Sequence, residues 1–439
     1  MLTKFRVVLD GEELDLTDCV FILSTKTGKV VKIKKDVYDT IQKKTKFIDK
    51  KIYRRLKNCG VISSNKNETF EIISENNSFI DNQCALYLPV MASKACQLKC
   101  SYCGQTHENR SASNMAISKI SNKILSEVES KRVNEVEIGL YGGEPLLGWS
   151  WIKKLSESIN CIAKENPSLK IRSKLVTNGI ALTDEKIEFL HSHLGLYKVE
   201  ITLDGIKEVN DECRESLNGK SYFHKIITSI KLLEKHPSII TVIRCNVSKD
   251  NYSRVPELLD KLTSEDFNKY CKIYFAAIHS WGNCAHEQSL PKEFFAYKEL
   301  CWKVMLTEKG WDIGWLPARK KLVCVALSKA SVVFDPDGRE FDCTEKPLVE
   351  KYSSSIVPSV KINNLIYFSA SSDYKRFNEG ILTHVTPCSD CFALPVCGGA
   401  CPKEWAEGRV PCPSFKYVAK ESLKLALITR GINYEDLTS

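Results

Sequence analysis

Ala85-Leu-Tyr-Leu-Pro-Val90, Cys96-Gln-Leu-Lys-Cys100-Ser-Tyr-Cys103 and Val136-Glu-Ile-Gly-Leu-Tyr-Gly-Gly-Glu-Pro145 decide the fold. Two apolar strand-like runs each lead into a loop of unusual chemistry, one rich in cysteine and one in glycine. Between them Ile117, Ile120, Ile124, Leu125 and Val128 recur at helical spacing. The alternation continues outward. Further strand candidates are Lys170–Val176, Lys198–Leu203, Ile239–Val247 and Lys272–Ala277, with helical runs such as Ile226, Ile227, Ile230 and Leu233 between them. Six strands separated by helices predict an α/β unit, a parallel sheet with right-handed crossovers. Eight units close a full barrel, so six predict an open, partial (β/α)6 barrel over residues 84–310. Its functional residues belong at the C-terminal ends of the strands.

On the N-terminal side, residues 1–60 hold fifteen Lys or Arg against eight Asp or Glu, and so carry +7 of the net +9. Phe21-Ile-Leu-Ser reads as a strand, Thr27-Gly28 as a turn and Val30-Val-Lys-Ile-Lys as its returning partner. Helical patterns follow at Val37 and Ile41, then at Ile48, Ile52 and Leu56. Gly60 takes the C-cap position, and Val61-Ile62 opens a wing strand before the polar tract Ser63–Thr69. Residues 1–80 are therefore expected to form a compact winged-helix-like module. Its positive charge suits either a solvated face or an acidic partner.

Beyond about Gly310 the alternation stops. Residues 311–439 are loop-rich, with nine prolines between Pro317 and Pro413, a Ser-rich tract at Ser369–Ser372 and a terminal amphipathic helix from Phe415 to Ile428. A region so poor in periodic elements needs something other than a helix–sheet core to hold it.

The composition, 43% hydrophobic and 27% charged over 439 residues, is that of a globular protein. No run of eighteen apolar residues exists, so no membrane span is expected. The opening MLTKFRVVLDGEE carries acids where a secretory signal would be apolar, which points to the cytoplasm. There, nineteen cysteines read as metal ligands or catalysts rather than as disulfides. Ten fall into two clusters, and the nine scattered ones read as small buried hydrophobes.

Cys96, Cys100 and Cys103 can hold three irons of a cubane cluster and leave the fourth open. Zinc is the competing occupant, but it wants four ligands and no partner pair stands nearby. Gly142 and Gly143, at the end of the second strand, let a ligand approach the backbone, and Glu144 adds an acceptor suited to an ammonium group. Farther on, Cys324 is followed by thirteen residues, Gly338, four residues and Cys343. Then come Cys388-x2-Cys391-x5-Cys397-x3-Cys401 and, after ten residues, Cys412. Seven thiolates exceed the needs of one cluster.

The triad and the Gly-Gly-Glu-Pro resemble the radical S-adenosylmethionine (SAM) enzymes, and the seven later cysteines resemble the SPASM iron–sulfur domain. The resemblance implies that SAM binds the open iron and that a reduced cluster cleaves it. It places Tyr102 against the adenine and Gly142, Gly143 and Glu144 at the methionyl end. Asn178, Thr202, Asp204, Arg244 and Asn246 are further SAM contacts it suggests. It implies two auxiliary four-iron clusters, so three [4Fe-4S] clusters in all. Cys324, Cys343 and Cys401 would ligate one, and Cys388, Cys391, Cys397 and Cys412 the other. The first auxiliary cluster lacks a fourth cysteine, since Ala318-Arg-Lys-Lys-Leu-Val precedes Cys324; Cys284, Cys301 or an open iron remain for that place. Gly104 stands where many relatives carry an aromatic residue.

Two branches of SPASM enzymes compete for the substrate. One matures ribosomally made peptides by oxidative C–C, C–O or thioether cross-linking. The other, the anaerobic sulfatase-maturating enzymes, makes formylglycine with an acid beside the second auxiliary cysteine. Here Thr344 holds that place, with Asp342 and Glu345 as neighbouring candidates for the catalytic acid. The N-terminal module looks like the PqqD-like domain that recognises a leader peptide, which favours the peptide branch. An extended peptide could add a strand to its sheet edge. A flavodoxin or ferredoxin is the implied electron donor. Neither a nucleic acid nor a membrane is expected as a partner: a zinc-ribbon nucleic-acid binder would account for the CxxC and the basic start, but not for the Gly-Gly-Glu-Pro or the triad spacing.

Overall fold

The computed structural model describes residues 1–43, 49–352, 360–362, 365–367, 374–430 and 433–438. Ile48, Pro358 and the Ser369–Ser372 tract lie outside the described residues. Six strands form the central sheet: β1 (Ala85–Met91), β2 (Glu135–Tyr141), β3 (Lys170–Thr177), β4 (Leu196–Thr202), β5 (Ile240–Val247) and β6 (Cys271–Ala277). They pair in chain order, every neighbour parallel. Helices α1 (Asn114–Glu129), α2 (Trp149–Glu165), α3 (Asp184–Leu194), α4 (Phe223–Leu232), α5 (Val255–Ser264) and α6 (Lys292–Glu308) follow the strands in turn.

Apolar spacing and caps explain the helices. Ser113 and Thr183 accept from Ala116 N and Lys186 N at the starts of α1 and α3, and Gly195 ends α3 in the left-handed region. Ile120 and Ile124 of α1, Leu155 and Ile159 of α2, and Val136, Ile138 and Leu140 of β2 are all fully buried in one shared core. Residues from all six strands line one cavity, so the sheet curls around it as a partial barrel.

The N-terminal module contains the expected strand pair and two helices, Lys35–Lys43 and Lys50–Asn58, and adds to them. Its sheet has a strand that the sequence reading missed, Arg6–Asp10, antiparallel to Cys19–Ser24, which pairs in turn with Val30–Lys34. Val61-Ile62 forms no wing strand: Ile62 makes an isolated bridge with Leu2. The polar tract instead leads into a third helix, Glu68–Asp81, capped by Asn67, which accepts from Phe70 N. A fourth strand closes the sheet, and it comes from the other end of the chain: Tyr434–Asp436 runs parallel to Val30–Lys34.

The cysteine-rich part also has more ordinary packing than its sequence suggested. Val333–Phe334 extends the barrel sheet beside β1, with Phe334 opposite Val90. Ile72, Ile73 and Ile80 of the third N-terminal helix pack with Phe377, Ile381, Leu394 and Trp405 in one apolar cluster that also takes in Cys343 and Cys388. The terminal helix, Ala419–Arg430, lays Ala419 and Leu423 against Val7 and Leu9. The first and last segments of the chain are thus bound into one layer.

Candidate functional site

The six strand ends surround a cavity of about 430 Å3, within the range of small-molecule sites. Cys96, Cys100 and Cys103 line it from the loop after β1, and the order of the strands puts Gly142 and Gly143 beside them. Gly143 serves the packing of the chain itself. A Cβ on Gly143 would lie 2.4 Å from the Ala95 carbonyl oxygen, so the cysteine loop itself fills that space. Glu144 N donates to the same oxygen at 2.7 Å and locks the loop to the end of β2.

Glu144 corrects the expectation for its side chain. It is fully buried, does not line the cavity, and its carboxylate accepts from Leu146 N, Thr177 Oγ1 and Asn178 N at 2.8–3.0 Å. It ties the end of β2 to the end of β3. Asp204 is corrected in the same way. It lies behind the cavity wall and accepts from Tyr102 Oη at 2.5 Å and from Asn246 N at 2.7 Å. Asn246 Nδ2 donates to Tyr102 Oη at 2.9 Å, so the ring that faces the cavity is pinned from behind.

Asn178, Thr202, Arg244 and Asn246 line the cavity, as does Tyr102. Asn178 Nδ2 donates to Gln97 Oε1 at 3.0 Å, and Arg244 Nε to Asn246 Oδ1 at 2.9 Å. Arg214 was missed in the sequence. It follows the short helix Lys207–Cys213, is 5% exposed, and donates to the Thr202 carbonyl. Burial works to lower its pKa, but Tyr102, Cys100 and Asp204 outweigh it and hold the guanidinium charged. A fixed positive charge therefore sits beside Cys100, where bound thiolates would carry negative charge. Its only signal in sequence was an arginine soon after the Asp204 turn.

Gln105 Nε2, Tyr141 Oη and Arg214 Nε are buried without a hydrogen-bond partner, and all three residues line the cavity. Buried polar groups left this way point to a ligand that completes them. Gly104 lies against the opposite wall: a Cβ there would meet the Trp281 carbonyl oxygen at 1.5 Å. The loop carrying Trp281 thus occupies the space that an aromatic residue after the triad would need. Trp281 Nε1 donates to the Glu345 carbonyl at 2.6 Å.

Of the two candidate acids, the structure keeps one at the cavity. Asp342 pairs with Lys346 at 2.7 Å and does not line it. Glu345 does, accepting from His279 Nε2 at 3.0 Å and from Lys403 Nζ at 2.9 Å. Burial works to raise the Glu345 carboxyl, but His279 and Lys403 outweigh it and hold it at about 2. Paired in this way it is held as a carboxylate, and its hydrogen bond in turn raises the pKa of His279, which also lines the cavity.

The later cysteines gather in two sets. Cys324, Cys343 and Cys401 lie near enough to bear on one another's ionisation, and burial pushes the Cys401 thiol up to about 12. Cys388, Cys391, Cys397 and Cys412 line a small separate cavity. Backbone and side-chain donors already point at these sulfurs. Gly399 N reaches Cys397 Sγ at 3.3 Å, Lys416 Nζ reaches Cys412 Sγ at 3.3 Å, and Glu345 N reaches Cys343 Sγ at 3.5 Å. Among the described residues, no three His, Cys, Asp or Glu side chains converge on a single metal ion. A cubane asks for a different arrangement, one sulfur per iron. All-thiolate sets with N–H donors fit iron–sulfur clusters.

Residues 90–262 match the sequence profile of the Radical SAM superfamily. A cysteine-type anaerobic sulfatase-maturating enzyme of Clostridium novyi (strain NT) is 24% identical over 376 residues, 78% of this chain and 96% of that protein. Among solved structures, native anSMEcpe with bound AdoMet and the Cp18Cys peptide superposes with a TM-score of 0.54 at 18% identity, over 78% of this chain and 99% of that one. Streptococcus suis SuiB bound to its precursor peptide SuiA matches with a TM-score of 0.50 at 14% identity, over 94% of this chain and 98% of that one. The SuiB likeness in fold must take in most of the first eighty residues. Among the described residues, no helix is long and apolar enough to cross a membrane.

Proposed function

We propose, for a chain whose barrel is that of the radical SAM superfamily, that it modifies a ribosomally made precursor peptide in the cytoplasm by oxidative cross-linking. Cys96, Cys100 and Cys103 hold the cluster that binds SAM. Cys324, Cys343 and Cys401 hold one auxiliary cluster, and Cys388, Cys391, Cys397 and Cys412 the other. When bound, SAM and the reduced cluster supply a 5′-deoxyadenosyl radical that removes one hydrogen atom from the peptide. The chain's own residues do the rest. Arg214 offsets charge beside Cys100, while Tyr102, held by Asp204 and Asn246, fixes one wall for the adenine. Asn178, Thr202, Arg244 and Asn246 offer polar contacts, and the backbone of Gly142 and Gly143 faces the methionyl end. Gln105 and Tyr141 present unpaired polar groups to whatever fills the remaining space. Forming a cross-link would release one further proton and one electron from the peptide; clusters held by the two later cysteine sets would supply a one-electron acceptor, with a flavodoxin or ferredoxin as external redox partner.

The observation that carries this reading is the N-terminal sheet-and-helix module, packed onto the cysteine-rich part and suited to receive a leader peptide. Formylglycine synthesis is the second reading. It is supported by the 24% identity across nearly the whole length of the clostridial relative. Thr344 after Cys343 and the pinned Glu345 speak against it. Mass analysis of a candidate precursor peptide after anaerobic turnover separates them. Loss of two hydrogens with no trappable aldehyde supports cross-linking. An aldehyde supports formylglycine, and an unchanged mass overturns both.

A further inference from the structure

We infer that His107 is the fourth ligand of the cysteine-triad cluster while SAM is absent: its Nε2 binds the open iron and yields that place when SAM arrives. The inference rests on the cluster assignment proposed above for Cys96, Cys100 and Cys103, and adds a residue to it. His107 follows the triad in the same loop and stands half-buried in the wall of the same cavity. Its Nδ1 lies 3.2 Å from the Lys94 carbonyl oxygen. A carbonyl only accepts, so Nδ1 carries the ring hydrogen and Nε2 is left with a bare lone pair. Burial pushes the ring pKa below its ordinary 6.5, against a second proton. That bare nitrogen lies 3.9 Å from Cys103 Sγ.

As a thiol, Cys103 could donate to that nitrogen. As a cluster ligand it has lost its hydrogen, and two electron-rich atoms then face each other. Iron resolves the conflict. An imidazole whose other N–H is held by a backbone carbonyl is oriented as metal-bound histidines are, and imidazole is an accepted ligand of iron in iron–sulfur clusters. Asn178 gives the contrast: what it places 3.9 Å from Cys96 Sγ is Nδ2, a donor, which suits a bonded sulfur and not a metal. The ring is also braced. Glu108 N donates to the Lys94 carbonyl at 3.3 Å, Lys94 N donates to the Arg110 carbonyl at 3.0 Å, and Arg110 pairs with Asp337 at 2.8 Å. On its other side a Cβ at Gly143 would come within 3.2 Å of Nδ1. The imidazole therefore lies against both Cys103 and the glycine turn to which the methionyl end of SAM is assigned. The two compete for one place, and SAM brings two donors, an amino and a carboxylate group, against one.

The test uses the full chain grown on 15N-labelled histidine, reconstituted anaerobically and reduced without SAM. Pulsed electron paramagnetic resonance should show a 15N coupling that saturating SAM removes. His107→Ala and His107→Gln should keep the parent's iron content and lose that coupling. With the competing ligand gone, His107→Ala should also bind SAM at least threefold more tightly. A SAM-sensitive histidine coupling that persists in either folded variant overturns the inference, as does SAM binding by His107→Ala no tighter than the parent's. Should neither variant fold, the parent decides: no histidine coupling, or one that ignores SAM, overturns the inference. Each of these failures leaves the triad cluster standing as long as SAM still changes the iron signal. An iron signal that ignores SAM altogether overturns the inference and the proposed function together.

Discussion

Gly104 shows how little room the site leaves. With the Trp281 carbonyl where a Cβ would sit, Gly104→Ala forces one of two loops to move. We expect a cost of about 1–3 kcal/mol in denaturant unfolding, the usual range for overpacking, together with loss of SAM cleavage. Asp204→Ala acts through charge. It strands Arg214 in the interior and removes the acceptor of the Tyr102 hydroxyl, and removing one partner of a buried pair costs about 3–5 kcal/mol. Chemical denaturation checks this, and a cost below 1 kcal/mol would mean that another group already balances Arg214. Cys100→Ala should abolish 5′-deoxyadenosine formation on reduction; continued formation would show the triad to be misassigned. Much of this was legible in sequence, because cysteine spacing and the Gly142-Gly143 pair are local signals. The tasks of Glu144 and Asp204 were not, since an acid's spacing is the same whether it faces a ligand or braces a neighbouring strand.

Among elements, the barrel strands were readable to within about two residues because each falls, with its Val, Ile and Leu residues, between two helical patterns. The helix Glu68–Asp81 was hidden by its polar start, although Asn67 as cap and Ile72, Ile73 and Ile80 at helical spacing were the available signal. The strand Tyr434–Asp436 had none. Three residues, two of them acids, carry no strand pattern, and their partner lies some four hundred positions away. Its acids predict a pH response. Hydrogen bonds from Cys59 and Arg55 hold Glu435 below its ordinary 4.5, and Thr438 and Lys32 hold Asp436 below 3.8. Groups with lowered folded values stabilise above the unfolded value and lose that contribution as pH falls through the folded one. The strand should therefore stay protected at pH 7 and loosen below about pH 4.5. Hydrogen exchange at 434–437, corrected for intrinsic rates, measures it; equal protection at pH 7 and pH 3 would contradict the assignment of these contacts.

For the whole molecule, the proposed three four-iron clusters predict about twelve irons and little zinc in anaerobically purified protein. Colourless, zinc-bearing protein would end the enzyme reading. Cys391→Ala should spare SAM cleavage without substrate but lower the melting temperature, since Cys388 and Cys343 sit inside the apolar cluster that joins the two ends of the chain. The same cluster means the N-terminal module cannot be cut away cleanly: deleting residues 1–80 would bare Phe377, Ile381 and Trp405 along with any loss of peptide binding.

That the last strand completes the first sheet has a consequence for biosynthesis. Residues 6–34 leave the ribosome about four hundred residues ahead of their closing neighbour, on the order of tens of seconds at ordinary elongation rates. Throughout that interval the nascent module offers its bare flank to the cell, so a chain arrested before residue 434 should be less soluble than one that carries this strand.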